Sequence, residues 1–384
     1  MFTRNIIFTN FRYKKKKSIV KKNLKKILKE KNQVILSLSN FYKNSFNNSI
    51  LKNFKKNFDY RIIGMGGSTL GSQAIYDFLN HKVKKKFVFV DNLKNDKIKN
   101  LKKKYNNLII SKSGNTIETI INTNILIKKS DKNLFLTENK KNYLRQLATK
   151  LKAEVVDHNN FIGGRYSVLS EVGMLPAELM GFKSQNFRQL NNLVKNKYFI
   201  NALVANVDAI INLTKSKKYN SIIINYDEQS SNLFHWYQQL VAESLGKNKT
   251  GLLPIISIMP KDNHSVMQLY LDGFKKNFFT FFYVKEKSFS KINNNQILNE
   301  MNFLKNKYTK DVLYAQKKAT ENIFKRRNIP FRSFEIQKRN EKTLGELFCF
   351  FILETILIAK ALKINPYDQP AVEFIKTETK RILV

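Results

Sequence analysis

Hydroxyl side chains and one cation cluster at residues 111–116, where a short apolar stretch gives way to a helical pattern. The segment reads Ser-Lys-Ser-Gly-Asn-Thr, so Ser111, Ser113 and Thr116 supply hydroxyl groups and Lys112 supplies a positive charge. The first turn of a helix also presents free backbone N–H groups and the positive end of the helix dipole. This combination suits the binding of a phosphate monoester, although the same hydroxyls could serve only to cap the helix.

A second turn, at residues 64–68, also lies between an apolar stretch and a helical pattern. Its sequence is Gly-Met-Gly-Gly-Ser, in which Gly66 and Gly67 allow the backbone to approach an anion closely and Ser68 adds a hydroxyl group. A dinucleotide-binding turn would place a third glycine where Thr69 stands. We therefore predict an anion-binding turn here and no dinucleotide cofactor.

Groups suited to proton transfer and charge stabilisation follow further along the chain. Arg165 comes after two glycines, and it could stabilise a developing oxyanion or be a structural arginine. Gln239 and Glu243 are four residues apart in a predicted helix and share a face, which makes Glu243 a candidate general base. His264 follows a predicted strand, where α/β sites form, and Lys376 lies inside a predicted C-terminal helix. A solvated surface position is the alternative for Glu243 and for Lys376.

The sequence offers little for metal or thiol chemistry. The four histidines are His81, His158, His235 and His264, and no two of them have the close spacing of a zinc site. Cys349 is the only cysteine and lies in an apolar run, so we expect a buried, unreactive thiol and no disulfide framework. We predict neither a metal nor a cofactor.

Short apolar stretches alternate with helical patterns along most of the chain, which is typical of parallel α/β sheets with helices on both faces. We expect a basic helical segment at 1–48, a first doubly wound α/β domain at 49–190, and a second at 191–384 that ends in helices. The candidate groups then fall at the carboxyl ends of strands or on the helices beside them. Strands are predicted at 60–63, 87–90, 108–110, 134–136, 154–156, 221–225, 255–258 and 278–284.

The chain has 384 residues and carries a large positive charge, with 69 lysines and arginines against 29 acidic residues. Nucleic acid must be considered as a partner for such a chain. The basic residues are mostly lysines spread over the whole sequence, so we interpret them as solvated, and nucleic acid is not the expected partner. The apolar run around Cys349 is shorter than the roughly 20 residues of a membrane span. The first residues lack the pattern of a secretory signal. They contain few acidic residues, as an organelle transit peptide does, but the cytoplasm is the expected location.

Taken together, these segments resemble the glucose-6-phosphate isomerase (phosphoglucose isomerase) family, whose members have two sugar-isomerase (SIS) domains. The matching motifs occur in the family's order from about residue 60 to residue 376. They are the turns at 64–68 and 111–116, Gly-Gly-Arg-Tyr-Ser at 163–167, Glu-Ser-Leu-Gly-Lys at 243–247, Asn-His at 263–264, and Tyr-Asp-Gln-x-Ala-Val-Glu-x-x-Lys at 367–376.

The resemblance implies a role for each matching residue. The phosphate would be held by Ser111, Lys112, Ser113 and Thr116, and the sugar and phosphate would be lined by Gly66, Gly67 and Ser68. Ring opening would use His264 and Lys376 as acid and base, and Glu243 would move a proton between C2 and C1. Arg165 would stabilise the enediolate. Gln239 and Gln369 would form hydrogen bonds with the sugar. The family's histidine comes from the partner subunit, which implies a homodimer.

The implied reaction interconverts glucose 6-phosphate and fructose 6-phosphate without a cofactor. Glu171 stands where the family usually has a small residue. Eight residues follow Lys376, so the C-terminal arm of longer members is not expected. One alternative is a sugar-phosphate sensor built from SIS domains, which would not need Glu243, His264 and Lys376 together. The others are a nucleic-acid-binding protein and an isomerase that also accepts mannose 6-phosphate.

Overall fold

The fold is given by a computed structural model that describes residues 2–12, 19–55, 59–93, 104–285 and 290–384. Within these ranges ten strands form two five-stranded sheets. The parallel α/β class predicted from the sequence is confirmed. The strands are β1 (Ile6–Thr9), β2 (Tyr60–Gly64), β3 (Phe87–Val90), β4 (Asn106–Ile110), β5 (Lys132–Glu138), β6 (Glu154–His158), β7 (Asn220–Asn225), β8 (Leu253–Ile258), β9 (Asn277–Val284) and β10 (Phe331–Ile336).

The first sheet is parallel throughout, with the strand order β3-β2-β4-β5-β6. β2 and β4 are buried along their whole lengths, as expected for strands covered by helices on both faces. The chain runs from β2 to a neighbour on one side, β3, and then to the neighbour on the other side, β4. The loops after β2 and β4 therefore leave adjacent carboxyl ends at a topological switch point, which is where α/β sheets bind ligands.

The second sheet has the order β1-β10-β9-β7-β8, and only β1, at its edge, is antiparallel to its neighbour among the described strands. β1 lies within the N-terminal segment for which helices are predicted. It is a strand because Ile6 pairs with Ile336 and both side chains are fully buried. A helix begins only at Ile19, and residues 1 and 13–18 of this segment lie outside the described ranges. The domain boundary near residue 190 stays a prediction.

Helices pack on both faces of each sheet. No helix in the described ranges is both long enough and apolar enough to cross a membrane. The helices are α1 (Ile19–Lys29), α2 (Gln33–Ser37), α3 (Asn48–Phe54), α4 (Leu70–Phe78), α5 (Ile117–Leu126), α6 (Tyr143–Leu151), α7 (Glu171–Leu179), α8 (Ser184–Phe187), α9 (Leu190–Leu193), α10 (Lys197–Lys215), α11 (Ser231–Leu245), α12 (Met267–Asp272), α13 (Thr309–Arg326), α14 (Glu341–Ala361) and α15 (Ala371–Leu383).

A buried ion pair fixes α11 against the second sheet. The side chains of Arg332 in β10 and Glu354 in α14 are 0% exposed and in direct contact. Tyr237 of α11 donates its hydroxyl hydrogen to Glu354 Oε1 at 2.9 Å, and Asn206 of α10 also donates to this carboxylate. Breaking such a pair leaves a buried charge uncompensated, which costs about 3–5 kcal/mol. The network therefore holds α11 in register, and α11 carries Gln239 and Glu243.

Candidate active site

Three loops lie at the carboxyl edge of the first sheet, and two of them contact one helix from the second half of the chain. The single turn of 3₁₀ helix Gly66–Ser68 follows β2, residues 111–116 follow β4, and residues 159–165 follow β6. α11 packs against α4, which begins directly after the Gly66–Ser68 turn. The Gly66–Ser68 turn and the arginine loop therefore lie against α11, which carries the candidate base, and the turn at 111–116 lies at the same edge of the sheet.

Two of the three hydroxyls in the turn at 111–116 are paired with each other. Ser111 is buried, and its Oγ lies 2.9 Å from Thr116 Oγ1. Gly114 has a φ of +65°, and a Cβ there would lie 2.0 Å from Asn142 Oδ1, so only glycine fits. Thr116 precedes α5 without capping it through its side chain, and Ser113 is exposed. The Thr116 hydroxyl therefore does not cap α5 and is instead paired with the Ser111 hydroxyl.

Lys112 links this turn to the loop after β6. Its Nζ donates to the carbonyl oxygen of Asn160 at 2.8 Å and lies 3.5 Å from Glu138 Oε1. The Lys112 side chain is about one-third exposed, at 32%, so it still borders solvent beside the hydroxyls. A phosphate bound in the turn would meet a cation that is already held in place by protein oxygens.

The Gly66–Ser68 turn touches both the arginine loop and α11 through its backbone. Gly66 has a φ of +51°, and a Cβ there would lie 2.8 Å from Gln239 Nε2. A Cβ on Gly67 would lie 2.2 Å from the carbonyl carbon of Gly164. Gly66 is therefore required by its positive φ and Gly67 by the close approach of another backbone, and Ser68 is partly exposed beside them.

Arg165 uses all five of its N–H groups in the protein. Its Nε donates to Ser244 Oγ at 2.8 Å, and one terminal nitrogen donates to the carbonyl oxygens of Pro366 at 2.6 Å and Asp368 at 3.0 Å. The other terminal nitrogen donates to Glu243 Oε2 at 3.2 Å and to the side-chain oxygen of Gln369. Because an arginine has only five such donors, a bound oxyanion must replace one of these acceptors.

Glu243 and Gln239 lie on the exposed face of α11, as their spacing predicts. Gln239 Nε2 donates to Glu243 Oε1 at 2.8 Å, and the Glu243 side chain keeps 30% exposure. Gln239 Oε1 is buried and has no hydrogen-bond partner among the described residues. A groove of about 540 Å³ opens beside them and is also lined by Gln73, Asp91 and His235. A ligand in this groove could reach the carboxylate and supply the donor that Gln239 lacks.

The sequence reasoning missed three residues that hold Arg165. Ser244 accepts a hydrogen bond from its Nε, and Tyr166 lies 2.8 Å from the same Ser244 hydroxyl. Trp236 Nε1 donates to the backbone oxygen of Arg165 at 3.2 Å. Trp236 and Ser244 lie on the buried face of α11, and their apolar neighbours in sequence indicate a core role. Only the adjacency of Ser244 to Glu243 and of Tyr166 to Arg165 could have drawn attention to them.

Glu171 does not reach the Arg165 guanidinium. It begins α7, is buried, and accepts hydrogen bonds from the Tyr42 hydroxyl at 2.8 Å and the Asn159 N–H at 2.6 Å. His158 Nδ1 lies 3.9 Å from the same carboxylate, and burial lowers the pKa of His158. The charged side chain is therefore accommodated by donors that anchor the start of the arginine loop.

His264 and Lys376 lie apart from the Arg165 cluster within the described chain. His264 is exposed at the end of the 3₁₀ turn Lys261–His264, which follows β8. Lys376 is exposed on α15 and pairs with Glu373 at 2.6 Å. No hydrogen bond or ion pair among the described residues joins either side chain to Glu243. No group of three or more metal-ligating side chains is found in the described ranges.

The fold and the arrangement of the loops define a class of protein. Two α/β sheets, parallel except for β1 at the edge of the second, give the fold of the SIS-type phosphosugar isomerases. The crystal structure of a glucose-6-phosphate isomerase from Chlamydia trachomatis superposes on this chain with a TM-score of 0.68 at 18% identity. The superposition covers 91% of this chain and 73% of that one. A hypothetical protein from Thermus thermophilus superposes with a TM-score of 0.83 at 20% identity over 95% and 94% of the two chains.

The chain belongs to the phosphoglucose isomerase family, because the family described as "Phosphoglucose isomerase" matches residues 3–384. Over 248 residues it is 32% identical to glucose-6-phosphate isomerase of Methanocaldococcus jannaschii, covering 58% of each protein. Over 230 residues it is 33% identical to the same enzyme of Mycoplasmopsis pulmonis, covering 58% of this chain and 54% of that one. The chain thus aligns with little more than half the length of these relatives.

Proposed function

We propose that the protein interconverts glucose 6-phosphate and fructose 6-phosphate, as a glycolytic and gluconeogenic isomerase of the cytoplasm. The observation that carries the proposal is the contact between the Arg165 guanidinium and the Glu243 carboxylate, beside the groove that Glu243 lines. In this proposal Glu243 would be the base, Arg165 the stabilising cation and the turn at 111–116 the anion site. The family and the relatives named above support the same substrate.

The phosphate would bind in the turn at 111–116, where Ser111, Ser113 and Thr116 provide hydroxyls, Lys112 a charge and α5 its N-terminal dipole. The Gly66–Ser68 turn would line the sugar between this turn and α11. Because the phosphate is fixed at one end of the substrate, C1 and C2 at the other end can be presented to Glu243. Gln239 Oε1 would accept a hydrogen bond from a sugar hydroxyl.

Glu243 would remove the proton from C2 of the open-chain aldose and return it to C1, which converts the aldehyde into the ketone. Both of its oxygens are already oriented, one by Gln239 and the other by Arg165. The negative charge that develops on the enediolate oxygen would be stabilised by Arg165. Gln369 would release the Arg165 nitrogen to this oxygen and turn to the sugar.

Ring opening would be assisted by His264 and Lys376, with His264 supplied by the partner subunit of a homodimer. The exposed position of His264 supports this assignment, because a side chain at the surface can enter a neighbouring subunit's cleft. α15, which carries Lys376, buries none of its side chains in the described chain, so it is free to pack against another surface.

The isomerase activity is tested with purified protein and fructose 6-phosphate, without added metal or nucleotide. Glu243→Gln keeps the side-chain size and should lower kcat on the order of 10²–10⁴-fold while substrate binding is retained. The matched control is Glu228→Gln, which removes an exposed carboxylate from the turn before α11. A folded wild-type dimer without turnover would disprove the proposed activity.

The phosphate site is tested with Lys112→Ala, which should mainly raise KM. Lys140→Ala is the control, because Lys140 also pairs with Glu138 but lies beyond the turn. If KM is unchanged in Lys112→Ala, Lys112 does not bind the phosphate.

Subunit mixing tests the origin of His264. Glu243→Gln and His264→Gln dimers would each be inactive, but half of the randomly mixed dimers would be hybrids with one intact site. Activity should therefore recover to about a quarter of the wild-type value. If His264 acts within its own subunit, mixing restores nothing.

A further inference from the structure

We propose that Ser244 and Tyr166 are positioning residues, which orient the Arg165 guanidinium towards the reacting carbons through a directed chain of hydrogen bonds. The inference rests on the proposed function, since it assigns how the stabilising cation of that reaction is held. Neither side chain would touch the substrate.

Both residues are inside the protein. Ser244 is 0% exposed on the inner face of α11, directly after Glu243 in sequence, and Tyr166 is 0% exposed directly after Arg165. Ser244 Oγ lies 2.8 Å from Arg165 Nε and 2.8 Å from the Tyr166 hydroxyl. The Tyr166 hydroxyl lies 3.1 Å from the carbonyl oxygen of Pro366. This series of hydrogen bonds thus begins at the Arg165 guanidinium and ends at the backbone of the segment before α15.

The chemistry of the two ends fixes the direction of every hydrogen. The guanidinium can only donate, so Ser244 accepts from Arg165 Nε, and a carbonyl can only accept, so Tyr166 donates to Pro366. The remaining hydrogen, that of Ser244, therefore points to the Tyr166 oxygen. Burial raises the pKa of Tyr166, which keeps this hydroxyl protonated. In this arrangement each of the two hydroxyls donates one hydrogen bond and accepts another.

This arrangement joins three parts of the site. Two successive residues of α11 contact different nitrogens of Arg165: Glu243 accepts a hydrogen bond from a terminal nitrogen, and Ser244 accepts one from Nε. Pro366 accepts from both Arg165 and Tyr166, which ties the segment that carries Gln369 to the same guanidinium. Loss of the Ser244 hydroxyl would free Nε and let the guanidinium plane turn away from Glu243.

The experiment compares Ser244→Ala and Tyr166→Phe with wild type in steady-state isomerisation. A misplacement of the cation by about 1 Å corresponds to a loss on the order of 10²-fold, which we expect in kcat for Ser244→Ala with KM nearly unchanged. Tyr166→Phe keeps the ring and should lose roughly tenfold less. Because the two hydroxyls act in series, the double variant should be no worse than Ser244→Ala alone. Additive losses, or losses confined to KM, would overturn the proposal.

A second readout separates positioning from stability. A hydroxamate that mimics the enediolate should bind Ser244→Ala on the order of 10²-fold more weakly, whereas the open-chain alcohol sorbitol 6-phosphate should bind as in wild type. Ser244→Thr retains the hydroxyl and should restore kcat and hydroxamate affinity. Equal weakening for both ligands would show a merely structural role.

The matched controls remove buried hydroxyls from other places. Tyr60→Phe deletes a phenol that donates to the Phe54 carbonyl oxygen at 2.6 Å, and Ser37→Ala deletes a hydroxyl that donates to the Val34 carbonyl oxygen at 2.7 Å. Both controls should keep the wild-type kcat. If the proposed function is wrong, the wild type will be inactive. If only this inference is wrong, the wild type will be active and both Ser244→Ala and Tyr166→Phe will have its kcat.

Discussion

Replacement of Gly67 by alanine would show whether the contact between the Gly66–Ser68 turn and the arginine loop sets the position of Arg165. A Cβ at residue 67 would lie 2.2 Å from the carbonyl carbon of Gly164 and 2.6 Å from the backbone nitrogen of Arg165. Ordinary contact begins at 3.4 Å, so the two backbones must separate by about 1.2 Å. Neither neighbour is a flexible side chain, and the displacement would therefore reach the guanidinium.

We expect Gly67→Ala to lower kcat by about 10²-fold, the usual cost of a 1 Å displacement at a reacting centre. Overpacking should also lower the free energy of unfolding by about 1–3 kcal/mol. The measurements are initial rates with fructose 6-phosphate and urea unfolding followed by circular dichroism.

The controls for this prediction are alanine substitutions in the facing loop. A Cβ on Gly163 would meet nothing closer than Tyr166 at 3.9 Å, and one on Gly164 would lie 3.7 Å from the Gly67 Cα. Gly163→Ala and Gly164→Ala should therefore stay close to wild type. A Gly67→Ala variant that matches them in kcat and in unfolding free energy would refute the reasoning from the close contact.

Three further predictions concern buried ionisable groups. Glu171→Ala should lower the unfolding free energy by about 1–3 kcal/mol, because the Tyr42 hydroxyl and a backbone N–H lose their acceptor. Glu171→Gln should cost less, and equal losses in urea would contradict this. Arg332→Met should cost about 3–5 kcal/mol, and adding Glu354→Leu should recover most of that loss in thermal melts. Burial lowers the pKa of His158 below 6.5, so the unfolded chain takes up a proton that the folded chain excludes as the pH falls. Stability should then decrease by up to about 1.4 kcal/mol per pH unit below 6.5, and a His158→Asn variant with the wild-type pH dependence of Tm would exclude this source.

Apolar runs predicted the buried strands well, because a strand covered on both faces must be apolar at almost every position. The run at residues 278–284 corresponds to β9, and that at 221–225 corresponds to β7. β10 was not predicted, because Arg332 and Glu335 interrupt its apolar pattern. These charges are tolerated only because partners from distant helices meet them, such as Glu354 in α14. That pairing depends on tertiary structure and has no local signal.

In the candidate site too, some features have a local sequence signal and others depend on tertiary structure. Turns at strand ends are visible in sequence because glycine and hydroxyl residues there obey local rules, and the structure places them at one edge of the first sheet. Several partners of Arg165 are not visible in this way, because they are the Ser244 hydroxyl and backbone carbonyls about 200 residues further on. A backbone acceptor carries no residue identity, so no pattern of side chains could have shown that all five donors of Arg165 are used.

The placement of His264 and Lys376 outside this cluster fits the proposed dimer. α15 has 13 residues and exposes Phe374, Ile375 and Ile382, so it buries none of the apolar face from which helices gain most of their stability. Beside His264, Asn263 Oδ1 is buried without a hydrogen-bond partner among the described residues. A second copy that covered α15 and received the Lys261–His264 turn would satisfy both features and would bring the ring-opening groups to Glu243. Assembly and completion of the active site would then be one event, which is why mixing two inactive variants is a more decisive experiment than either variant alone.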